Sequence, residues 1–468
     1  MESRKYSNEI IKTSSGGLAE DQRRELASRH PFLTGSCFKY NFCGTPIKPN
    51  HRQNMNRIII RNIGPIKDID LDLNKINVFI GPQGSGKSTI AKIISFCSWL
   101  EKDNSVTEQA CSEGLIARLT SFHHMEGYFS QESELLYEGD NIAFIYNWKT
   151  DWKRPHLSKE FGGGECLPNK AMLFHVDRKN VNPKVAYIPA ERNFVSAVPS
   201  LRNYSDKDDN LQSFVNDWFE AKRHYTRETP IPIMSLGLDY FYNPGTDADY
   251  LLQEKASNTI PLVAASSGYQ SIVPLVVLLK WLSSGIYEEN KPFSPAENEK
   301  FRTILAHLSD ISEKSNATII ERLRGFLEGR VYTHTQFIIE EPEQNLFPRT
   351  QMDLLYQILS EINHGRNHRL VLTTHSPYIL YALNNCILAH IVEDSMDKKL
   401  SKSLECAKYA VAPKDVSVWS IHDGCIRNEN NEYNKTIQDS RGLVRKNYFN
   451  DVMKDVMNEF NTMLPYID

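Results

Sequence analysis

One short segment combines glycines, a lysine and a serine at the spacing that binds phosphate. It fits the pattern G-x-x-x-x-G-K-S without a mismatch and reads Gly81-Pro82-Gln83-Gly84-Ser85-Gly86-Lys87-Ser88. The glycines let successive backbone N–H groups turn inward around the α- and β-phosphates, Lys87 reaches the β- and γ-oxygens, and Ser88 offers a hydroxyl to Mg²⁺. An apolar strand precedes the segment and a helix follows it, which disfavours a chance glycine turn. The segment predicts a nucleoside triphosphate site.

Two adjacent carboxylates follow the apolar run Phe337-Ile338-Ile339. Pro342 stops this strand, so that Glu340 and Glu341 lie at its rim. A phosphoryl-transfer site needs one carboxylate for the Mg²⁺ shell and a second one to orient or deprotonate the attacking water. An exposed acidic loop is the usual alternative for such a pair. The complete phosphate loop elsewhere in the chain favours the site.

A histidine, His375, follows the buried strand predicted at 368–373. It lies 34 residues after Glu341 (375 − 341), which leaves room for one helix and one strand. Because neighbouring parallel strands end at the same sheet edge, we expect His375 beside the acidic strand, near the γ-phosphate. A structural histidine with satisfied hydrogen bonds is the alternative.

A fourth segment is a weaker signal. Residues 264–271 read A-A-S-S-G-Y-Q-S and lead into an apolar helix. Small residues at a helix start favour a second anion-binding N-terminus, although a simple helix cap explains them equally well.

These residues depend on strands and helices that the sequence also predicts. Apolar and alternating runs predict strands near 58–60, 69–73, 76–80, 142–148, 185–188, 335–339, 368–373, 387–392 and 416–422. Helical spacing predicts helices over 88–100 and 349–363, a mostly helical stretch over 205–255 and an apolar helix up to Leu282. A last helix begins near Leu443, and its stripe, Val444, Tyr448, Val452, Val456 and Phe460, is expected to pack onto the body.

Five regions follow from this pattern. Residues 1–54 carry no sustained period and predict a poorly ordered extension. The two halves of the core, 55–200 and 331–430, flank a mainly helical insertion at 201–330, and 431–468 form a C-terminal helix.

Composition limits the class of protein. The chain has 468 residues, 40% of them apolar and 24% charged, with a net charge of −4, which is typical of a soluble globular protein without a strong basic excess. Its eight cysteines are scattered and form no C-x-x-C pair, which indicates free thiols in a reducing cytoplasm. The longest apolar run, 272–282, is too short for a membrane span and indicates a buried helix.

The four motifs, in this order, resemble the ABC-type ATPase heads of the SMC, RecF and overcoming-lysogenization-defect (OLD) group. The resemblance covers about residues 56–425 and implies an α/β P-loop NTPase fold: a mixed sheet flanked by helices, with a helical insertion lobe. It implies a homodimer that sandwiches two ATP molecules between its heads. Glu340 would support Mg²⁺ with Ser88, Glu341 would be the catalytic carboxylate and His375 would sense the γ-phosphate. Ser267 and Gly268 would complete the partner's ATP site.

Several features depart from that group. Most ABC proteins carry Asp where this chain has Glu340, and the signature is not L-S-G-G-Q. Two positions are candidates for the Q-loop, Glu191-Arg192 and Gln131. Arg61-Asn62 is a candidate for contact with the adenine.

The function of such a head has three candidate forms. Only 43 residues follow Cys425 (468 − 425), so we expect no nuclease domain after the ATPase. The compact form is similar to stand-alone ATPases of the Septu or PARIS kind, which implies control of a separate nuclease or toxin in antiphage defence. A RecF-like ATPase that binds duplex DNA through basic segments 192–202 and 222–224 is the alternative. The atypical signature and the long insertion after it argue against a membrane transporter.

Overall fold

Runs of apolar and β-branched residues form the strands, and longer amphipathic stretches form the helices. The computed structural model describes residues 56–102, 114–147, 171–175, 181–198, 208–253, 258–287, 302, 331–428 and 430–467. The strands are β1 (Asn56–Ile63), β2 (Ile66–Leu73), β3 (Ile76–Ile80), β4 (Phe129–Glu138), β5 (Ile142–Tyr146), β6 (Ala171–His175), β7 (Pro183–Ile188), β8 (Ile231–Pro232), β9 (Leu238–Asn243), β10 (Ala248–Gln253), β11 (Thr259–Pro261), β12 (His334–Glu340), β13 (Arg369–Thr373), β14 (Val416–His422) and β15 (Cys425–Ile426). The helices are α1 (Lys87–Lys102), α2 (Gly114–Phe122), α3 (Phe194–Ala197), α4 (Asn210–Lys222), α5 (Ser267–Ser283), α6 (Pro348–Ile362), α7 (Pro377–Ile391), α8 (Lys398–Ser403) and α9 (Tyr448–Met463). The expected extension at 1–54 lies outside these residues.

Eleven strands form one mixed sheet in the order β6-β5-β4-β1-β2-β15-β14-β3-β13-β12-β7. The five strands from β14 to β7 run parallel to one another, whereas β1, β2, β4, β5 and β6 pair antiparallel. This arrangement confirms the predicted α/β fold with a mixed sheet flanked by helices. It also places the strand before the phosphate loop, β3, inside the parallel half, between β14 and β13.

The parallel strands are buried on both faces. Ile76, Val78 and Ile80 of β3 belong to one apolar core, which also contains residues of α4 to α7. Phe79, between them, belongs to the other core, together with the buried face of α1. The sheet therefore separates two cores, and a continuous apolar run such as 76–80 fits a strand covered on both sides.

Helix α5 is the apolar helix expected before Leu282, and it is largely buried despite Pro274. The segment Ser267–Tyr287 has the length of a membrane span, and an 18-residue stretch of it has a mean hydropathy of 1.3, but 72% of that stretch is buried inside the fold. Within the described residues its position is that of a core helix.

The expectation of a mainly helical region over 205–255 is wrong. Helix α4 occupies its first part, but β8 to β10 follow and form a second, four-stranded antiparallel sheet with β11. Leu238, Tyr240 and Tyr242 of β9 pack into one core at a spacing of two, but Phe241 between them is also buried, so the strand carries no clean alternation that would distinguish it from a helix. The insertion from 201 to 330 therefore contains a small sheet as well as helices.

The prediction of a strand near 387–392 is also wrong, because Ile387 lies within α7. The Ser376 side chain accepts hydrogen bonds from the N–H groups of Tyr378 and Ile379, and Pro377 occupies the first helical position. This start is strong, and no breaker interrupts the helix before Val392, so the β-branched residues near its end remain helical.

The C-terminal helix begins later than expected and does not pack along the body. Residues 431–447 contain only turns and isolated bridges, and Asn447 caps α9 through its side chain. Every residue from Asn450 to Ile467 is exposed. Val444, the first residue of the expected stripe, is buried in the core, but the part of the stripe on α9, which includes Val456 and Phe460 (56% and 51% exposed), faces solvent in the single chain.

Candidate nucleotide site

Strand register brings three loops to one edge of the sheet. Phe79 of β3 pairs with Thr373 of β13, and Thr373 pairs with Glu340 of β12. The next backbone groups continue the ladder, since Thr374 N–H donates to the Phe79 carbonyl (3.0 Å) and Glu341 N–H donates to the Thr373 carbonyl (2.9 Å). The glycine loop, the two carboxylates and His375 thus leave three adjacent strands at the same level.

The glycine loop adopts a conformation that requires its glycines. Gly81, Gly84 and Gly86 have φ angles of +149°, +73° and +108°. A β-carbon at Gly81 would lie 2.4 Å from the carbonyl oxygen of Ile421, and one at Gly86 would lie 2.2 Å from Ile66. The chain can therefore turn its N–H groups around an anion here, and α1 begins directly after the loop.

Lys87 is a buried cation that makes no ion pair within 4 Å among the described residues and hydrogen-bonds to main-chain carbonyl oxygens. Its ammonium donates to the carbonyl oxygens of Gly81 (2.9 Å) and Pro82 (2.8 Å). Burial lowers its pKa to about 8, against the opposing charges of Glu341, Glu343 and Glu340. An anion above the loop, such as a phosphate, would give Lys87 a direct ion-pair partner.

Glu340 has a buried carboxyl group with an unused oxygen. The residue is 5% exposed, and Oε1 has no hydrogen-bond partner. Burial raises its pKa, while polar interactions with Ser88 and Tyr187 and the charge of Lys92 oppose that shift. An unsatisfied carboxylate oxygen beside the Ser88 hydroxyl fits the oxygen ligands that Mg²⁺ prefers, so the residues present are compatible with that metal.

Glu341 is held in an unusual conformation that directs its carboxylate at His375. Its φ angle is +43°, which is rare for a residue with a β-carbon. Glu341 Oε1 lies 3.3 Å from His375 Nε2, and Oε2 accepts a hydrogen bond of 3.0 Å from Gln344. The hydrogen bond with His375 is the main cause that lowers the pKa of Glu341 to about 2. The carboxylate is therefore ionised at neutral pH.

A third carboxylate, Glu343, fixes the histidine loop. Its Oε1 accepts the N–H of His375 (2.5 Å), and its Oε2 accepts the Thr374 hydroxyl (2.9 Å). Glu343 is therefore a support for the loop, a role that the sequence reasoning missed. Its place just after Pro342 was the available signal.

Ser267 and Gly268 lie at the start of α5. Ser267 is exposed, and the Ser266 side chain makes no capping hydrogen bond. A β-carbon at Gly268 would lie 2.9 Å from the carbonyl oxygen of Asn345, in the loop after the carboxylates. Among the described contacts, no hydrogen bond joins these two residues to the phosphate loop of the same chain.

Two residues of the proposed DNA-binding segments are buried. Arg192 is 0% exposed and donates only to main-chain carbonyl oxygens, including those of Glu340 and Glu341. Lys222 is 4% exposed and pairs with Asp249 at 3.2 Å. Neither cation is accessible to a DNA backbone. Arg192, from the first Q-loop candidate, contacts the loop that carries the carboxylates (residues 340–346, the carboxylate loop). The other candidate, Gln131, is exposed on β4 in the antiparallel half of the sheet.

Comparisons with known proteins agree with this geometry. Residues 76–380 match the model of a family described as "AAA domain, putative AbiEii toxin, Type IV TA system". This range is more than half of the chain and contains all the site residues named above. No curated protein matches the sequence.

Solved structures that match the chain share little sequence with it. An SMC head domain from Thermotoga maritima has 13% identity and a TM-score of 0.30, and the match covers 70% of this chain and 92% of that one. An SMC head bound to the C-terminal winged-helix domain of ScpA has 9% identity and a TM-score of 0.34, over 80% and 95% of the two chains. An ATP-binding cassette in a dimeric post-hydrolysis state with ADP and Pi has 11% identity and a TM-score of 0.27, over 81% and 99%.

The family match and the converging phosphate loop, carboxylates and histidine lead to one conclusion: this chain belongs to the AAA-domain family described above and is a P-loop NTPase.

Proposed function

We propose that the chain binds ATP with Mg²⁺ at residues 81–88 and hydrolyses it with Glu341. One observation carries the proposal: the Glu341 carboxylate, 3.3 Å from His375, lies close enough to the phosphate-loop lysine, Lys87, for its charge to raise the pKa of that ammonium. A carboxylate that can orient water and an ammonium that can hold phosphate are recurring parts of in-line phosphoryl transfer to water.

Each residue has a distinct part in this reaction. The N–H groups of the loop and the Lys87 ammonium hold the phosphates. Glu341, ionised at neutral pH, accepts a hydrogen bond from the attacking water and aligns it with the γ-phosphate. His375 donates to a γ-phosphate oxygen, and Glu343 holds the histidine at the required place.

The family implies a divalent metal as well as a nucleotide. Mg²⁺ supplies charge neutralisation at the β- and γ-phosphates when it is bound. The Ser88 hydroxyl and the free oxygen of Glu340 would hold it.

The start of α5 is best explained by a second copy of the chain. Ser267 is exposed, and the uncapped first turn of a 17-residue helix directs N–H groups and a positive dipole end outward. Such a terminus can bind a γ-phosphate that the partner's loop holds. We therefore propose an ATP-dependent homodimer in which Ser267 and Gly268 complete the partner's site.

We propose separately that the ATPase controls an effector protein. The family description names a toxin and a type IV toxin–antitoxin system. Together with a compact ATPase head, this description supports an ATP switch that controls a separate nuclease or toxin in antiphage defence. The RecF-like alternative is weakened because Arg192 and Lys222 are buried.

The substitution Glu341→Gln tests the ATPase and the dimer together. We expect hydrolysis to fall about 10²- to 10⁴-fold, because the amide cannot act on the water as an ionised carboxylate does. ATP should remain bound, and light scattering with ATP and Mg²⁺ should show twice the monomer mass.

Glu343→Gln is the matched control. It also removes a carboxylate, but from the histidine loop, so it should lower turnover without trapping an ATP-bound dimer. If Glu341→Gln hydrolyses ATP at the wild-type rate, Glu341 is not the catalytic carboxylate. If it stays monomeric with ATP bound, the sandwich dimer is wrong.

A further inference from the structure

All five N–H groups of one buried guanidinium have main-chain acceptors. Arg192 Nε donates to the Ser271 carbonyl (3.1 Å). Nη1 donates to the carbonyls of Glu340 (3.0 Å) and Pro189 (3.4 Å), and Nη2 donates to those of Glu341 (3.0 Å) and Pro342 (2.9 Å). The side chain thereby joins three segments of the chain: the loop after β7, the carboxylate loop and the first turns of α5.

Only arginine can make this set of contacts. A guanidinium carries five donors in a planar fork, whereas a lysine ammonium carries three donors at one point. Arg192 is 0% exposed, and burial lowers its pKa to about 10, so it remains a cation at neutral pH. A buried cation is costly unless it is fully hydrogen bonded, which indicates a specific requirement at this position.

The three carbonyls in the carboxylate loop are consecutive. They belong to Glu340, Glu341 and Pro342, and they flank the positive φ angle of Glu341. A non-glycine residue holds this conformation only where its surroundings impose it. The guanidinium is therefore one of the groups that direct the Glu341 carboxylate toward His375.

The remaining contact, from Arg192 Nε to the Ser271 carbonyl, links the guanidinium to α5, the helix whose start is proposed to contact the partner. Ser271 is four residues after Ser267, on the helix whose start is proposed to contact the partner's nucleotide. Gly268 of the same helix also lies against Asn345, in the continuation of the carboxylate loop. A shift of the α5 start would thus reach the carboxylate loop through two contacts.

We propose that Arg192 is a positioning residue that couples the start of α5 to the conformation of Glu341. Engagement of Ser267 and Gly268 by the partner's nucleotide would then align the catalytic carboxylate of the same chain. This inference rests on the proposed function, because it assigns a regulation to the proposed site.

Arg192→Lys and Arg192→Gln test the coupling by two readouts. In steady-state and binding assays we expect ATP affinity within about twofold of wild type and turnover about 10²-fold lower, since a displacement of about 1 Å costs that much. Arg192→Lys should not restore turnover, because one ammonium cannot hold three successive carbonyls. The matched control is Arg57→Lys, because Arg57 is a buried arginine of β1 that pairs with Asp70 of β2. This variant should leave turnover unchanged.

Hydrogen exchange measured by mass spectrometry gives the second readout, which does not require hydrolysis. In the wild type, ATP should increase protection of residues 266–272 and 340–346 together. In Arg192→Lys, residues 266–272 should still respond and residues 340–346 should not.

Three results would overturn the coupling: wild-type turnover in both variants, an equal loss of ATP affinity and turnover, or joint protection of the two segments in Arg192→Lys. If Arg192→Gln fails to fold, Arg192→Lys decides. A wild-type protein without ATPase activity would refute the proposed function, and the exchange data would still decide the coupling.

Discussion

The two ends of the neighbouring strands β3, β13 and β12 differ in how completely their buried polar groups are hydrogen bonded. At the carboxyl end, three buried polar atoms have no partner: Ser85 Oγ, Thr373 Oγ1 and Glu340 Oε1. Glu341 and Asn345 also hold positive φ angles there. Each unsatisfied buried group costs about 1–3 kcal/mol, and strained residues add to this cost.

The amino end of the same strands is polar but satisfied. His368 accepts the N–H of Thr335 at Nδ1 and contacts the Ser283 carbonyl at Nε2, and Arg369 pairs with Asp140 at 2.6 Å. A cavity of about 230 Å³ lies there. None of the buried side-chain atoms of the described residues that line it lacks a partner.

The difference shows which polar groups await a ligand. Burial and charge occur at both ends, so neither property alone identifies the site. Of the two ends of these strands, within the described residues, unpaired atoms and positive φ angles occur together at the end where the phosphate loop lies. A bound ligand can satisfy groups that the fold leaves open there. The satisfied end is then expected to govern stability and the open end to govern activity.

The largest difference between the two ends is expected for their lysines. Lys87→Ala should abolish measurable ATP binding and turnover, because no other described cation hydrogen-bonds to the phosphate loop. Lys75→Ala, at the amino end where Lys75 donates to Asn363 (2.8 Å), is the control and should bind ATP normally. Calorimetric titration with ATP and Mg²⁺ checks both variants. Normal affinity in Lys87→Ala would remove the basis of the comparison.

Removal of Arg369 should affect stability and not activity. Arg369→Met leaves Asp140, which is 4% exposed at its side chain, without its cationic partner, and breaking such a pair costs about 3–5 kcal/mol. Urea unfolding should show this loss, while ATP turnover per folded molecule stays unchanged. Arg349→Met, which breaks a more exposed pair with Asp353, should cost less than about 1 kcal/mol. A turnover defect in Arg369→Met would contradict the division between the two ends.

The smallest effect is expected in the pH dependence of stability. Glu101 is buried and accepts hydrogen bonds from Asp140 N–H (2.6 Å) and Tyr137 (3.2 Å). Burial raises its pKa from 4.5 to about 7. Between these values the folded state binds more protons than the unfolded state, so stability falls as pH rises, by about 3 kcal/mol in total.

Glu101→Gln removes this titration and keeps an acceptor oxygen. Urea unfolding at pH 5 and pH 7.5 should therefore show a steeper loss in the wild type than in Glu101→Gln. Parallel pH dependence in the two proteins would show that Glu101 is not the titrating group.

The sequence predicted the parallel core well because its signals are local. The run 76–80, the glycine loop and the helix over 88–100 each follow from a short pattern, and the structure confirms the strand and the helix. The 34-residue separation between Glu341 and His375 was sufficient to predict neighbouring strands, and β12 and β13 are neighbours.

Features that depend on contacts between distant segments were not predictable in the same way. Arg192 reads as an ordinary surface cation, and only the fold shows its five carbonyl partners, up to 150 residues away. The exposed position of α9 has the same origin, since an amphipathic stripe predicts an apolar surface but not what covers it. The small sheet of β8 to β11 was missed because short strands with mixed polarity carry a weak period.

The central claim is that the glycine loop, the carboxylates and His375 surround one triphosphate. A structure of the protein with Mg²⁺ and a non-hydrolysable ATP analogue tests it most directly. We expect the γ-phosphate within hydrogen-bond distance of Lys87 Nζ and His375, with the metal between Ser88 and Glu340. An analogue bound elsewhere, or with Glu341 turned away from its γ-phosphate, would contradict the account.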